Sequence, residues 1–366
     1  MKVLHFTPSF YPTIGGIESV VKTLSLQMSY NSCEVIIVCL SKVPISKSNF
    51  SYLTPGHSIP IYYFSHADLF RFKRVRLLIS LLRSCDILHL HDPKFALLLI
   101  VSYFFAPQKN FFMTTHGGFY HNRRYSLLKK LYLRMWVSFA LKKFVKVFAI
   151  SKDDFNRLSR LSPRKILYTP NPVTENPFGV DPFLHPHSLR NWLYWGRASK
   201  NKNLLNLLKL VKLMHKRKIY ISLNICSKDS LNYLKSYAKD NSIDNVNLIE
   251  NACDETIATL IANSSVFVLP STYEGFGLTL VEAASSGLIP FYNDISPINE
   301  LLNKDIGLAL DFNNLPLAVD SFLTYEARFL SSNYDITVSE MLDSCKTYSP
   351  AAITNTILRE YNLSLS

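Results

Sequence analysis

Two carboxylates, Glu274 and Glu282, stand eight positions apart in the stretch TYEGFGLTLVEAASSGLIP, residues 272–290. Between them lies a Gly275-Phe276-Gly277 turn, and an apolar helical run opens at Leu278 and Thr279. An apolar strand-like run, Val266 to Leu269, comes just before. The order is strand, acidic loop, glycine turn, helix. Such a junction aims backbone N–H groups and the positive end of a helix at an anion. Carboxylates on either side can accept hydrogen bonds from hydroxyls. A phosphate flanked by hydroxyls describes a sugar nucleotide.

Further candidates are weaker one by one. Arg197 follows Gly196 at the end of the run Leu193–Trp195, and Lys202 comes five residues later. A fixed Arg and Lys at a strand-to-helix junction can neutralise a diphosphate without a metal. The bland alternative is a solvated basic loop. Gly15-Gly16 stands at the mouth of another helical run, where a glycine pair lets backbone approach a phosphate or simply allows an unusual turn. His116 closes the run FFMTT and precedes Gly117-Gly118. There it can hydrogen-bond a hydroxyl or shuttle a proton, or serve only structure. His89, His91 and Asp92 close another strand in HLHDP. That spacing is short and lacks matching distant ligands, so no metal site is expected.

The elements that must position these residues alternate. Strand-like runs at 3–6, 35–39, 61–64, 87–90, 111–115, 147–150 and 166–169 are separated by helical runs at 18–30, 72–83, 95–105, 126–143 and 152–161. Ser151 with Asp154 three later resembles a capping box. A proline-rich stretch from residue 170 to 186 reads as a linker. Alternation then restarts with strands at 193–195, 220–225, 246–248, 266–269 and 289–291, and helices at 204–215, 231–241, 255–262 and 278–286. Two α/β units imply two doubly wound domains, 1–186 and 187–345. A final helix within 346–366 is expected to return to the first. In such sheets ligands bind outside the carboxyl ends of the strands, so the site is expected in a cleft between two facing domains.

Composition bounds the partners. The chain has 366 residues, 48% hydrophobic and 18% charged, which excludes a disordered protein. Its net charge is +13, and residues 69–149, with 15 Lys/Arg against Asp86 and Asp92, carry an excess equal to it. Aromatic residues are interleaved there, among them Tyr120, Tyr125, Tyr132 and Trp136. Basic plus aromatic surface fits an anionic membrane face or an anionic lipid-linked substrate through residues 71–146. Nucleic acid and a plain solvated helix face are the competing readings. The six Cys residues are scattered, as suits buried free thiols in a reducing compartment. MKVLHF enters a strand directly, with no secretory signal, and the apolar run 95–106 is too short to span a bilayer. A cytoplasmic protein, peripheral on the inner membrane face, is expected.

Together GGIE, DILHLHDP, THGG, NPV, GRxxxxK (196–202) and EGFGLTLVE (274–282) resemble glycosyltransferase family 4, retaining nucleotide-sugar-dependent enzymes of the GT-B fold. The resemblance covers nearly the whole chain and looks strongest to bacterial exopolysaccharide enzymes that move mannose from GDP-mannose to a polyprenyl-diphosphate-linked glycan. It implies that Glu282 binds the donor's ribose, that Glu274 contacts the transferred sugar, and that His116 sits beside it. Arg197 and Lys202 would hold the diphosphate, with backbone N–H groups of Gly16 and of Phe276 to Thr279 beside Gly275. No cofactor or metal is implied. Three departures stand out: Pro172 where the family often has Gly, Asn201-Lys202-Asn203 where Lys-Gly is common, and CSKDS in place of a glycine-rich loop. A UDP-sugar-dependent relative and a catalytically silent binding module remain the alternatives.

Overall fold

The computed structural model describes residues 1–13, 15–40, 50–54, 57–65, 67–68, 71–92, 110–117, 141–302, 306–330 and 334–366. The chain forms two compact units. Residues 1–173 and 348–366 make the first, and residues 174–347 the second.

The first unit carries an eight-stranded sheet of β1 (Lys2–Thr7), β2 (Glu34–Leu40), β3 (Phe50–Thr54), β4 (His57–Phe64), β5 (Ile87–His91), β6 (Asn110–Thr114), β7 (Phe144–Ala149) and β8 (Ile166–Tyr168). Their order is β3-β4-β2-β1-β5-β6-β7-β8, parallel except for the β3–β4 pair. Helices α1 (Gly16–Tyr30), α2 (Phe72–Ser84) and α3 (Lys152–Ser159) connect them. Val3, Leu4, Val38, Ile87 and Phe112 are at most 1% exposed. Strands covered on both faces read as near-continuous apolar runs, which is why the sequence located them. The antiparallel β3 was not anticipated, because its short FSYLT pattern reads equally well as loop. The helix expected at 95–105, and all but the last three residues of the one expected at 126–143, lie outside the described residues.

The second unit is a six-stranded parallel sheet ordered β11-β10-β9-β12-β13-β14. The strands are β9 (Asn191–Trp195), β10 (Ser222–Ser227), β11 (Val246–Glu250), β12 (Val266–Leu269), β13 (Ile289–Asn293) and β14 (Leu308–Leu310). Helices α4 (Leu204–Lys216), α5 (Asn232–Asp240), α6 (Asp254–Ala262), α7 (Leu278–Ser285), α8 (Leu315–Leu330) and α9 (Tyr334–Cys345) join and cover them. The proline-rich stretch is no free tether. From Thr174 it packs into this unit: the Asn176 N–H donates to Ser285 Oγ, and the buried His185 ring bonds the Ser264 and Ser286 carbonyls.

Helix α10 (Pro350–Leu365) belongs to the first unit. Ser349 caps it by accepting from the Ala352 N–H, and Pro350 sits in its first turn, where a missing N–H costs nothing. Its Tyr361 is wholly buried against Phe112, with ring centroids 4.6 Å apart.

Leaving aside the antiparallel edge strand β3, the described strand order reverses between β1 and β5 in the first sheet and between β9 and β12 in the second. A crevice opens outside the strand ends where the order reverses.

Candidate functional site

In the second unit the loops after β9 and β12, neighbours at the reversal point, carry Arg197, Lys202 and Glu274. Asn201 stitches the loops together. Its carbonyl accepts from the Thr272 N–H at 2.8 Å, and its side-chain amide donates to the Tyr273 carbonyl at 3.1 Å. Lys202 Nζ then donates to Glu274 Oε1 at 2.5 Å, and Ser271 Oγ donates to the same oxygen at 2.6 Å. Lys202 and Glu274 are only 16% and 10% exposed. The Arg197 side chain is 73% exposed and its Nε lies 3.9 Å from Asp229 Oδ2. Asp229, in the loop after β10, also accepts from the Ala198 N–H at 2.8 Å.

Two conformations explain local sequence choices. Gly277 caps α7 at φ +104°, and a Cβ there would fall 2.4 Å from Ile298 Cδ1. Gly275 and Gly277 bracket Phe276, which is 4% exposed and packs inward, so this turn offers backbone where α7 begins at Leu278 and Thr279. Asn203, standing where the family pattern has Gly, takes φ +56°. Asn is among the few residues that tolerate this region, so the departure preserves the turn.

Glu282 lies one turn into α7 rather than at its start. Its carboxyl is pushed up to about 7 by burial, opposed by a hydrogen bond from Trp195, the last residue of β9. Through Trp195, Glu282 joins the same strand end that launches Gly196 and Arg197. A hydrogen-bonding ligand would favour its charged form.

The first unit holds Gly16 and His116. Gly16 opens α1 behind the extended Gly15. Glu18, 6% exposed in that first turn, accepts from Ser9 Oγ. A Cβ on Gly15 would meet Glu18 Oε2 at 2.6 Å. His116 follows β6 with φ +49° and is 8% exposed. Asp154 grips the residues on both sides of it. Thr115 Oγ1 donates to Asp154 Oδ2 at 2.6 Å, and the Gly117 N–H also donates to this carboxylate. Ser151 Oγ accepts from the Asp154 N–H, as the capping pattern anticipates, but the acid itself serves Thr115 and Gly117.

Beneath His116 lies a set of buried imidazoles. His91 Nδ1 is 2.9 Å from His116 Nε2, and His91 Nε2 is 2.9 Å from His5 Nδ1. His89, stacked on His91 at 4.3 Å, meets Thr114 Oγ1 at 2.8 Å and the Tyr361 hydroxyl at 2.6 Å. Burial lowers His5 and His116 to about 3. Burial and then neighbouring rings hold His89 and His91 well below the usual imidazole range. All four are neutral at physiological pH, which suits His116 to hydrogen bonding more than to proton shuttling.

Lys202, Glu274 and the start of α7 therefore assemble in one unit with Arg197 and Glu282, and Gly16 and His116 lie in the other. Sequence reasoning passed over Asp229, Asn201, Ser271, Asp154 and His5. Only the capping pattern at Ser151 pointed to one of them, Asp154.

Comparison with known proteins agrees with this division. Residues 14–177 match the family model Glycosyltransferase Family 4, and residues 182–326 match Glycosyl transferases group 1. A GDP-mannose:cellobiosyl-diphosphopolyprenol alpha-mannosyltransferase of Xanthomonas oryzae pv. oryzae (strain PXO99A) is 28% identical over 328 residues, covering 87% of this chain and 86% of that protein. A Komagataeibacter xylinus protein with the same description is 23% identical, covering 86% of this chain and 81% of its own. Among solved structures, the sucrose-phosphate synthase of Thermosynechococcus elongatus superposes with a TM-score of 0.75 at 15% identity, covering 100% of this chain and 99% of that one. Anabaena Alr3699/HepE, in complex with UDP and glucose, gives 0.73 at 16% identity, covering 100% of both chains.

Proposed function

Because the chain belongs to glycosyltransferase family 4, with the GT-B fold, we propose that it transfers mannose from GDP-mannose to a polyprenyl-diphosphate-linked glycan in exopolysaccharide assembly. The observation that carries the reading is the junction of Arg197, Lys202 and Glu274 at the reversal point, beside the α7 N-terminus. The identity of sugar and acceptor rests on the two relatives' descriptions.

The sugar C1–O bond breaks and its electron pair leaves with the nucleoside diphosphate. Arg197, Lys202 and the helix end stabilise that charge. The acceptor hydroxyl attacks the same face and gives its proton to the departing phosphate oxygen, so configuration is retained. No protein nucleophile is needed. Glu274 is held by Lys202 and Ser271 as a hydroxyl acceptor for the sugar, and Glu282 takes the ribose hydroxyls. The two cations supply the counter-charge that a metal would otherwise provide, so turnover is expected to persist in a chelator.

Peripheral binding at an anionic cytoplasmic leaflet belongs to the same proposal. Among the described residues no helix is long and apolar enough to cross a membrane. What supports surface binding is the start of α2, where Phe72 is 76% exposed between Arg71 and Lys73, with Arg76 over its ring. An exposed aromatic among cations suits an anionic interface. Much of the basic stretch lies outside the described residues. Co-sedimentation with phosphatidylglycerol vesicles at low and high salt tests this part, and salt-insensitive absence of binding would reject it.

Thermal shift with GDP, UDP and ADP tests the donor. Stabilisation by GDP above the other two is expected. Preference for UDP would replace the donor, and no response to any nucleotide would favour a silent binding module.

A further inference from the structure

His5, His89 and His91 have ring nitrogens grouped within 4.8 Å of one another, which invites a metal reading. Their contacts argue otherwise. Both nitrogens of His91 already face other imidazole nitrogens at 2.9 Å, and both nitrogens of His89 face hydroxyls. A cation would have to displace these bonds. The arrangement is that of hydrogen-bonded neutral rings.

The geometry points to a second role: we infer that His116, His91 and His5 form one imidazole chain locked in a single tautomer, so that the buried His5 and His91 set the polarity with which His116 meets a substrate hydroxyl. The lock follows from counting protons. Each neutral ring has one N–H and one lone pair. In both ring-to-ring contacts an N–H must face a lone pair, so once one ring's tautomer is chosen the other two must match it. A mixed set would oppose two N–H groups or two lone pairs in a buried place.

The ends decide the direction. One end is His5 Nε2, which is buried and has no hydrogen-bond partner among the described residues. The other is His116 Nδ1, on the ring that keeps 8% exposure where His5 and His91 have none. If all three rings carried the proton on Nε2, an N–H would be orphaned at His5. If all carry it on Nδ1, the orphan is a lone pair and the N–H emerges at His116. Orphaned buried N–H groups are the rarer case in folded proteins. His116 therefore offers an Nδ1–H donor and stays neutral. It is a hydrogen-bond donor of fixed polarity and not a general base, since taking a proton at Nδ1 would first require the whole chain to reverse. His5 and His91 are positioning residues for it, and the involvement of substrate rests on the function proposed above.

Nitrogen-15 NMR of the full chain labelled at histidine, with the three rings assigned through single His→Gln variants, reads the tautomers directly. Three neutral rings, all protonated at Nδ1, are expected. Mixed tautomers, an imidazolium at neutral pH, or stoichiometric metal in the purified protein would overturn the chain. A shared Nε2–H tautomer would overturn the outward donor. His5→Phe removes the buried end. In that variant the buried end becomes His91 Nε2, so the same rule keeps His91 and His116 protonated at Nδ1, with GDP stabilisation unchanged. A switch of His116 to Nε2–H in His5→Phe would refute a polarity set by the buried end. If that variant does not fold, the wild-type spectrum still decides. Absence of a GDP response in the wild type would count against the proposed function and leave the tautomer result standing.

Discussion

Glu282 is predicted to make the second unit less stable as pH rises from the acidic range to neutrality, and Glu282→Gln should remove that dependence. Its carboxyl is raised from 4.5 to about 7 by burial. At ~1.4 kcal/mol per pH unit, this amounts to about 3 kcal/mol of discrimination against the charged form. The sign follows from proton counting. Below pH 4.5 the group is protonated in both folded and unfolded chains and contributes no penalty. Between 4.5 and about 7 the unfolded chain ionises while the folded chain keeps its proton, so the folded state binds more protons and stability falls with pH. Above about 7 the penalty is complete and constant. Gln is neutral throughout and can still accept from Trp195. Urea denaturation followed by fluorescence of Trp192 and Trp195, both in the second unit, should give a variant advantage that is small at the acidic end and grows by up to ~3 kcal/mol toward pH 8. An advantage that stays flat across this range would refute the argument. Ligand binding supplies a second readout. Ribose hydroxyls donating to Glu282 would favour the carboxylate, so GDP binding should release protons and tighten with pH in the wild type more than in the Gln variant. The nucleotide's own titration is common to both proteins and cancels in the comparison.

Arg197→Ala should leave stability within ~0.5 kcal/mol, because the side chain is 73% exposed, yet lower transfer by on the order of 10²-fold. Near-normal turnover would sink the diphosphate assignment. Lys202→Met should instead destabilise the second unit by about 3–5 kcal/mol, since it strands a nearly buried Glu274. Adding Glu274→Gln should recover part of that loss, and strictly additive unfolding energies would show that the pair is not coupled. Gly277→Ala should cost about 1–3 kcal/mol, because it combines φ +104° with a Cβ placed 2.4 Å from Ile298 Cδ1. A thermal midpoint equal to wild type would contradict this.

The parallel strands were legible because burial on both faces writes them as apolar runs, and the order of motifs then located the strand ends. The exposed loops were not legible in the same way. CSKDS was read as the loss of a glycine-rich loop, whereas Asp229 uses it to hold the Arg197 loop by the Ala198 N–H. Asn203 looked like a departure and adopts the left-handed turn all the same. His5 gave no signal, since a histidine inside VLHFT reads as an interruption of a strand. Its partners, His91 and His116, come from other strands, and only the register that pairs β1 with β5 and β5 with β6 brings the three together. Long-range register of this kind leaves no local trace.

The cations of the candidate site do not attract a diphosphate through net charge. Arg197 faces Asp229 and Lys202 faces Glu274, so the four formal charges cancel. An incoming phosphate must exchange partners, and the two pairs differ in how easily they yield. The Arg197–Asp229 contact is 3.9 Å long with both side chains substantially exposed. Such a pair is worth little, at most about 1 kcal/mol, so the guanidinium can leave it for a bidentate phosphate contact at small cost. Lys202 sits 2.5 Å from Glu274 in a largely buried pair, and Ser271 secures the same oxygen. Breaking that pair would leave Glu274 buried without its counter-ion, so Lys202 must keep it while reaching the phosphate with its remaining N–H donors. Arg197 is thus the mobile clamp and Lys202 a fixed bridge between phosphate and the carboxylate proposed to hold the sugar. Loss of Arg197 should weaken the hold on the nucleotide and on the charge that develops at its diphosphate, whereas loss of Lys202 should in addition disorder Glu274, so only the second should also misplace a sugar already bound.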